Sequence, residues 1–561
     1  MSEAGLGPLV PVPTARGRRG GVVAPHHLAT AAGLGILRAG GHAVDAAIAT
    51  NAVLSVVMPN ACGIGGDAFW LVWDAQAKRQ VALNGSGRAP MGVDAEALRS
   101  SGLRTIPARS ALAITIPGAV RSWGDAHARF GRLSRAQVLG PAIELARGGF
   151  PAWDGFIESV ERTTPQVEAG LGGDAPFHAT YRPHGRPWRP GEIVRFPALA
   201  STLDHLAANG FDTFYEGDLG ARQSAALSAL GLACAPADFA GHSSTWGEPI
   251  ETSYRGIRVT THPPNSSGVV ALEILNILET FAPPGRSTFG EAGVEDPRWI
   301  HLAVEAGKLA MADRDAWLTD PEFGDVPTGR LIDKAYAAEL ADRIDPRRAR
   351  LPEPATNPPG GGTIYLATVD ADGNAVSLIE SNWQGFGSGV VDPETGIHYH
   401  NRGNFFSLDP DHANVLAPGK RPLHTLLPGM LFRDGEGTAG GPWVIAGSMG
   451  GDAQPQVHAQ LVSALVDGGL DIRSAVSIPR WTVEPLALLE PARDVLAEPR
   501  FRAGVLEALE AMGHPVVRTE PFDGRLGHEH AIQLVDGGPA VPDGSVAAAT
   551  DPRSAGLPAA W

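Results

Sequence analysis

The junction between Gly362 and Thr363 is where residue type and spacing most directly suggest chemistry. Residues 351–362 are rich in proline and glycine without an apolar period, which predicts a mobile loop, and Thr363 then begins a β-rich run. Here a threonine hydroxyl could attack its own preceding carbonyl, an N→O acyl shift would give an ester, and water would cut the chain. The new terminus would carry a nucleophilic Oγ and an α-amine of ordinary pKa near ~8, a usable general base. The pattern alone also fits an ordinary loop-to-strand junction.

Two histidine pairs offer a different chemistry. His398 with His400, and His528 with His530, would each place two imidazoles on one face of a strand, as in a metal site. No cysteine or acidic cluster completes four ligands, and a hydrogen-bonded histidine pair has the same pattern. The sequence also lacks a complete phosphate-binding loop, a full dinucleotide fingerprint and a Gly-x-Ser-x-Gly elbow. We therefore expect neither a metal nor an organic cofactor.

The elements that must position these residues predict a mixed α/β chain. Residues 43–57 are apolar nearly all round and predict a buried helix. Alternating or β-rich runs predict two hairpins, one from 68–73 and 81–83 and one from 363–370 and 374–381. Residues 1–20 are predicted to be a loose leader. Further helices are predicted at or near 28–39, 137–147, 201–208, 269–280, 299–316 and 456–467, and further strands at 443–447, 530–535 and 545–549.

Composition and charge exclude several classes of function. The chain has 561 residues, of which 43% are hydrophobic and 19% charged, so it supports a large core and is not broadly disordered. A net charge of −16 argues against a general nucleic-acid binder and against attachment to anionic lipid. Two cysteines, Cys62 and Cys234, are too few for a network of stabilising disulfides in a chain of this length. The sequence shows neither a signal-peptide pattern nor a membrane-spanning run of about 18 apolar residues. We expect a soluble, cytoplasmic protein.

Many ordered sequence motifs resemble those of the γ-glutamyltranspeptidase family, whose members are N-terminal-nucleophile hydrolases made as self-processing precursors. The resemblance covers roughly residues 20–560. Its clearest motifs are Gly-Ser-Met-Gly-Gly at 447–451, Pro-Gly-Lys-Arg-Pro at 418–422 and Asp-Pro-Arg-Ser at 551–554. The remaining matching stretches are 39–47, 63–67, 263–268, 274–279, 301–315, 372–377 and 386–389.

The resemblance implies a fold, a cut and a set of catalytic residues. The implied α+β fold is a four-layer αββα sandwich, cut between Gly362 and Thr363 into fragments 1–362 and 363–561 that pair as one composite unit. Thr363 matches the family's nucleophile. Gly450 and Gly451 match the glycines whose backbone N–H groups face the oxyanion, a role that suits glycine because the backbone can approach the substrate closely. Ser381 stands where the family usually has a second threonine that hydrogen-bonds the nucleophile, and it keeps the hydroxyl without the stiff χ1.

The residues matching the family's substrate pocket depart from its pattern. Phe405 replaces the acidic residue that holds the glutamyl α-amino group, and an aromatic ring offers an ammonium only a weaker cation–π contact. Trp383 replaces an asparagine, and His424-Thr425 replaces the serine pair that contacts the α-carboxylate. The family's substrate-binding arginine aligns with Ser86. Arg88, two residues away, is the candidate to take its place, since its fork suits a carboxylate, although the same residue could be an ordinary surface loop arginine.

These departures leave the acyl group open while supporting acyl chemistry. The first hypothesis is a self-processing amidohydrolase or acyltransferase that cleaves γ-glutamyl-type, glutathione-like amides and passes the acyl group to water or an amine. A second is an acylase for glutaryl- or oxamate-type amides, which lack the α-amino group. A third is a catalytically silent binding protein on the same scaffold, and a fourth is a metal-dependent hydrolase that uses the two histidine pairs. The expected partners are a small-molecule amide and the paired fragments, with higher oligomers left open.

Overall fold

The computed structural model describes residues 12–283, 295–350, 362–433, 440–485 and 493–561. The strands are β1 Ala15–Gly17, β2 Gly21–Val23, β3 Asp67–Asp74, β4 Arg79–Gly85, β5 Phe150–Pro151, β6 Ile193–Val194, β7 Thr245–Gly247, β8 Ile250–Tyr254, β9 Ile257–Thr261, β10 Gly362–Val369, β11 Ala375–Trp383, β12 Gly429–Arg433, β13 Val444–Met449, β14 Trp481–Pro485, β15 Arg493–Ala497, β16 Val516–Arg518, β17 His528–Val535, β18 Ser545–Thr550 and β19 Ala559–Ala560. The helices are α1 His27–Arg38, α2 Ala43–Val57, α3 Ala95–Ser100, α4 Ala119–Phe130, α5 Arg135–Gly148, α6 Asp154–Leu171, α7 Pro176–Tyr181, α8 Pro197–Asn209, α9 Gly217–Ala229, α10 Pro236–Ala240, α11 Gly268–Glu279, α12 Pro297–Trp317, α13 Thr328–Leu331, α14 Lys334–Ala341, α15 Gln454–Val466, α16 Ile472–Ser477 and α17 Val505–Ala511.

Two seven-stranded antiparallel sheets form the centre of the fold. The first has the strand order β1-β18-β17-β13-β12-β9-β8, and the second β19-β2-β10-β11-β3-β4-β7. The apolar side chains between the sheets include Phe69 and Tyr365 from one and Met430, Ile445 and Ile532 from the other. Each sheet also contains strands from both sides of Gly362. The two halves of the chain therefore share both sheets.

Helices cover the outer face of each sheet. Helices α1, α2 and α5 pack with Trp70 and Leu366 on the second sheet, and α11, α12 and α15 pack with Val259 and Val444 on the first. Each sheet is thus covered on both faces, which explains why β3, β10 and β11 are buried along nearly their whole length. The arrangement is α+β with four layers in the order α, β, β, α, as the family resemblance implies.

The predicted buried helix at 43–57 is confirmed with the same bounds. All fifteen residues of α2 are buried, as expected for a helix that is apolar around its circumference. His42 caps it by accepting a hydrogen bond from the Val44 backbone, while Asp45 accepts one from the His42 backbone. This helix packs behind β10 and β11 and so supports the strands that carry Thr363 and Ser381.

The leader prediction is wrong in part. Residues 15–17 form the edge strand β1, which pairs antiparallel with β18 through Ala15 and Ala548. A three-residue strand is too short to show a period of its own, and its pairing partner lies more than 500 residues away in sequence. Most of the predicted mobile loop, residues 351–361, lies outside the described residues. Among the described helices, none is both long and apolar enough to span a bilayer.

Candidate active site

Thr363 and Ser381 face each other across the β10–β11 hairpin. The antiparallel register pairs the two residues directly, and a local irregularity separates this pair from the next one, Gly362 with Trp383. The Thr363 Oγ1 donates to Ser381 Oγ at 3.0 Å, and Ser381 Oγ donates to the Gly362 carbonyl at 2.7 Å. Both side chains are buried. The predicted nucleophile, its hydroxyl partner and the carbonyl of the predicted scissile bond therefore form one continuous chain of hydrogen bonds.

Ser381 Oγ is the centre of a crowded polar cluster. Besides Thr363, the Trp383 backbone N–H donates to it at 2.7 Å and the Arg402 Nη2 at 3.1 Å. A hydroxyl oxygen has two lone pairs, so these three donors share them unequally. Trp383 has a φ of 74°, in the left-handed region that disfavours an aromatic residue. Its hydrogen bond to Ser381 helps to hold that conformation, so the serine fixes both the nucleophile and the pocket wall.

Arg402 is a functional candidate that the sequence motifs did not reveal. Its side chain is fully buried, with its guanidinium carbon 4.6 Å from the Trp383 ring centre and 5.2 Å from that of Phe405. The Trp383 and Phe405 rings themselves lie 4.2 Å apart. The Arg402 Nη1 donates to Thr425 Oγ1 at 3.3 Å, and its Nε is buried with no hydrogen-bond acceptor among the described residues. Phe405, at the position where the family holds a substrate ammonium, thus lies beside a cation that belongs to the chain.

Burial weakens the charge of Arg402 without abolishing it. Desolvation lowers the pKa of Arg402 to about 9, against the opposing attraction of the Asp67 and Asp452 carboxylates. At neutral pH the guanidinium remains protonated. The signal that could have found it is its position three residues before Phe405, in the same stretch that departs from the family's acidic residue.

His424 is bound to Asp67 and not directed at the nucleophile. Its Nε2 donates to the Asp67 Oδ2 at 2.9 Å, and Asp67 Oδ1 accepts from the Gly87 and Gly118 backbones at 2.9 and 3.1 Å. Burial, reinforced by the Arg402 charge, lowers the pKa of His424 to about 3, so its imidazole is neutral. His424 therefore buttresses the site through Asp67, while its neighbour Thr425 contacts Arg402 directly.

Gly450 and Gly451 form the turn after β13. Their φ angles are 147° and 55°, both in the region that favours glycine. Strand β13 packs over β10, where Gly447 lies against the Tyr365 ring with no room for a Cβ. The next residue, Asp452, is held by Arg314 of α12 through a 2.7 Å ion pair, and both are buried. A salt bridge between the two halves of the chain thus anchors this backbone turn.

Sequence comparison decides the family. Residues 29–561 match the family model described as Gamma-glutamyltranspeptidase. The chain belongs to the gamma-glutamyltranspeptidase family. It is 38% identical to the Glutathione hydrolase-like YwrD proenzyme of Bacillus subtilis, over 95% of this chain and 97% of that protein. It is 36% identical to the Oxamate amidohydrolase proenzyme of Klebsiella pneumoniae, over 97% and 98%.

A solved structure supports the same assignment for the fold. The cephalosporin acylase from Bacillus halodurans superposes with a TM-score of 0.90 at 36% identity, covering 100% of this chain and 99% of that one. With relatives named as hydrolases, amidohydrolases and acylases, and several named as proenzymes, this member of the gamma-glutamyltranspeptidase family is an enzyme, a self-processing amidohydrolase.

Arg88 lies in a different environment from the one that family alignment suggested. Its guanidinium is paired with Glu322 at 2.7 Å and Asp320 at 3.5 Å, and it donates to the Gly419 carbonyl. Ser86, at the aligned position, is buried and bonded to Asn84. The charge of Arg88 is thus already balanced by carboxylates of the chain, which weakens the case for it as a substrate anchor.

In both histidine pairs, the imidazoles form hydrogen bonds with residues outside the pair. His398 contacts Asn382 and Tyr181, and His400 contacts the Thr115 carbonyl, whereas His530 accepts from the Asp551 backbone. Within the described ranges, the one group of three potential metal ligands is elsewhere and is formed by His301, Glu305 and His514. There the His301 and His514 rings share a hydrogen bond of 2.7 Å, and the Lys308 ammonium donates a hydrogen bond to the Glu305 carboxylate. Lys308 thus places a positive charge beside the carboxylate that a metal would need.

Proposed function

We propose that Thr363 is the nucleophile of this gamma-glutamyltranspeptidase-family enzyme and that the chain cuts itself between Gly362 and Thr363. In scission, the Thr363 Oγ attacks the Gly362 carbonyl carbon, the C–N bond breaks as the ester forms, and water hydrolyses the ester. The products are a carboxylate on Gly362 and a free amine on Thr363. Supporting this proposal, Ser381 donates to the carbonyl under attack and accepts from the attacking hydroxyl.

In turnover, the same oxygen attacks a substrate amide. The α-amine of Thr363 takes the hydroxyl proton and delivers it to the leaving amine, and an acyl ester forms on Oγ. Water then attacks that ester, releasing the acid and restoring the hydroxyl, or an acceptor amine takes the acyl group. The Gly450 and Gly451 N–H groups are proposed to stabilise the oxyanion, and a donor of this kind lowers the barrier by about 3–4 kcal/mol.

For the substrate, we propose an amide whose acyl group carries a carboxylate but no α-ammonium. One observation carries this choice: the position at which the family holds an ammonium is filled by Phe405, with the Arg402 cation against its ring. A substrate ammonium here would meet a positive charge instead of a carboxylate. The relatives named as an oxamate amidohydrolase and acylases support this choice over γ-glutamyl amides, the alternative.

The scission experiment compares wild-type protein with Thr363→Ala. We expect the wild type to give two bands on a denaturing gel, with the smaller one beginning Thr-Ile-Tyr, and the variant to remain one inactive 58.5 kDa chain. Turnover by the variant, or a wild-type protein that stays uncut, would refute the nucleophile assignment. A silent binding protein is distinguished by an acyl-type inactivator, which labels Thr363 only in an enzyme.

The substrate experiment compares γ-glutamyl and glutaryl amides of the same amine on the processed wild type. The two differ only in the α-amino group, so the ratio of kcat/KM isolates its effect. We expect the glutaryl amide to be preferred. A preference for the γ-glutamyl amide would contradict the interpretation of Phe405 and Arg402 while leaving the nucleophile assignment intact.

A further inference from the structure

Within the described part of the chain, Arg402 is a buried cation with no carboxylate in direct contact, and Asp67 and Asp452 attract its charge only from beyond ion-pair distance. It forms no ion pair there, its Nε has no acceptor, and its hydrogen bonds go only to the hydroxyls of Ser381 and Thr425. Arginine is almost never fully buried without an anionic partner, because the desolvation cost is then uncompensated. By contrast, two further buried arginines near the site, Arg314 and Arg421, are each paired with an acidic residue.

We infer that Arg402 binds a carboxylate of the substrate next to the nucleophile, and that the substrates are monoamides of short dicarboxylic acids, with two to four carbons in the acyl group. This inference rests on the proposed role of Thr363. It goes further by naming the residue that recognises the anion and by limiting the length of the acyl chain.

The limit on length comes from the two hydrogen bonds that meet at Ser381 Oγ. Thr363 Oγ1 lies 3.0 Å from that oxygen and Arg402 Nη2 lies 3.1 Å from it. Donors that approach separate lone pairs of one oxygen stand about 5 Å apart, and these two can be no more than about 6 Å apart. A substrate that fits between these two groups, with its carbonyl at Thr363 and its carboxylate at Arg402, is therefore expected to hold the carboxylate within about 5 Å of the reacting carbonyl. With C–C bonds of about 1.5 Å, an oxalyl, malonyl or succinyl group covers this distance, whereas a glutaryl chain must bend.

The surroundings of Arg402 suit a small planar anion. The Trp383 and Phe405 rings hold the guanidinium by cation–π contact and exclude water, which strengthens its attraction for a carboxylate. The free Nε edge and Nη groups offer the fork that binds a carboxylate through two parallel hydrogen bonds. In the unbroken chain the Ser381 hydroxyl donates its hydrogen bond to the Gly362 carbonyl. Scission between Gly362 and Thr363 removes the covalent bond that keeps this carbonyl next to Ser381.

The first test needs no variant. The processed wild type is given the amides of oxalic, malonic, succinic and glutaric acids, each as the monoamide and as the neutral diamide. We expect kcat/KM to favour the monoanion over its diamide by about 10- to 100-fold for the short acids, the effect of one charged hydrogen-bonded pair. We also expect this ratio to fall at glutaric acid. An anion preference that is absent, or that is as large for glutaric acid as for malonic acid, overturns the inference.

The second test assigns the preference to Arg402. In Arg402→Met the ratio of monoamide to diamide should fall to near one, while Arg402→Lys should retain part of it, because lysine keeps the charge and loses the fork. A purely structural arginine would lower both rates equally and leave the ratio unchanged, and that result refutes the assignment. Failure of the Thr363 mechanism is separately visible: no acyl ester would then be trapped on Thr363 by rapid acid quench of the wild type, whatever the substrate ratios.

Discussion

Ser381→Ala gives the sharpest test of how the precursor cuts itself. The serine Oγ donates to the Gly362 carbonyl at 2.7 Å, so it is placed to stabilise the negative charge that develops on that oxygen when Thr363 attacks. Loss of one donor to a developing oxyanion costs about 3–4 kcal/mol, which corresponds to scission about 10²- to 10³-fold slower. The same change leaves Thr363, the Trp383 N–H and Arg402 Nη2 short of an acceptor, at a cost to stability of about 1–3 kcal/mol for each group that finds no other.

The assay follows newly synthesised precursor by denaturing gel and intact mass, so that the half-time for appearance of the two fragments is measured directly. Ser377→Ala is the matched control. Ser377 is buried on the same face of β11, four residues earlier, and bonds the Tyr365 hydroxyl and the Gly429 backbone without touching Gly362. We expect the control to lose stability and still be cut at the wild-type rate. If folded Ser381→Ala precursor is cut within about twofold of the wild-type rate, the role assigned to this hydroxyl is wrong.

Two further predictions concern the supports of the site. Arg314→Lys weakens the ion pair with Asp452 beside the Gly450-Gly451 turn. Because the oxyanion donors then lose their positioning, kcat should fall about tenfold with little change in KM. Steady-state kinetics on the best amide measures both constants, and an unchanged kcat contradicts the prediction. Burial alone would raise the pKa of Asp67, but His400, the hydrogen bond from His424 and the Arg402 charge together lower this pKa to about 2. Ionised Asp67 therefore stabilises the fold by about 2 kcal/mol at pH values above its ordinary pKa near 4. This contribution is lost as the pH falls towards 2. In the uncut Thr363→Ala chain, thermal unfolding between pH 5 and 2 should therefore be less pH-dependent after Asp67→Asn, and an identical pH profile would refute the assignment.

The secondary-structure elements that hold Thr363 were predicted well from local sequence patterns. The apolar run of α2 and the two β-rich runs around 370–373 are short-range signals, since each is set by residues that are neighbours in sequence. The hairpin register follows from the turn, so the pairing of Thr363 with Ser381 was within reach of the sequence. The order of the strands in the two sheets was not, because β2 pairs with β10 and β3 with β11 across about 300 residues or more.

The charges of the site were less predictable than its hydroxyls. Arg88 was selected on spacing, but Asp320 and Glu322, which lie over 200 residues away, neutralise it in the fold. Arg402 carried no motif. Its importance comes from the two aromatic rings and from the lack of a carboxylate in direct contact among the described residues, neither of which is a property of the residue itself. Whether an arginine is a bound structural cation or a free receptor depends on its partners in three dimensions, and one sequence does not specify them.

On the proposed mechanism, one hydroxyl serves two stages that exclude each other. In the unbroken chain Ser381 donates its hydrogen bond to the Gly362 carbonyl, so Gly362 occupies the hydroxyl, also bonded by Arg402, that a substrate would need. Once the bond to Thr363 is cut, the same donor is released beside a cation that touches no carboxylate of the described chain. Scission therefore does more than create the terminal amine: it frees Ser381 for the substrate. This would explain why the nucleophile's hydroxyl partner and the anion receptor share a single oxygen instead of occupying separate parts of the pocket.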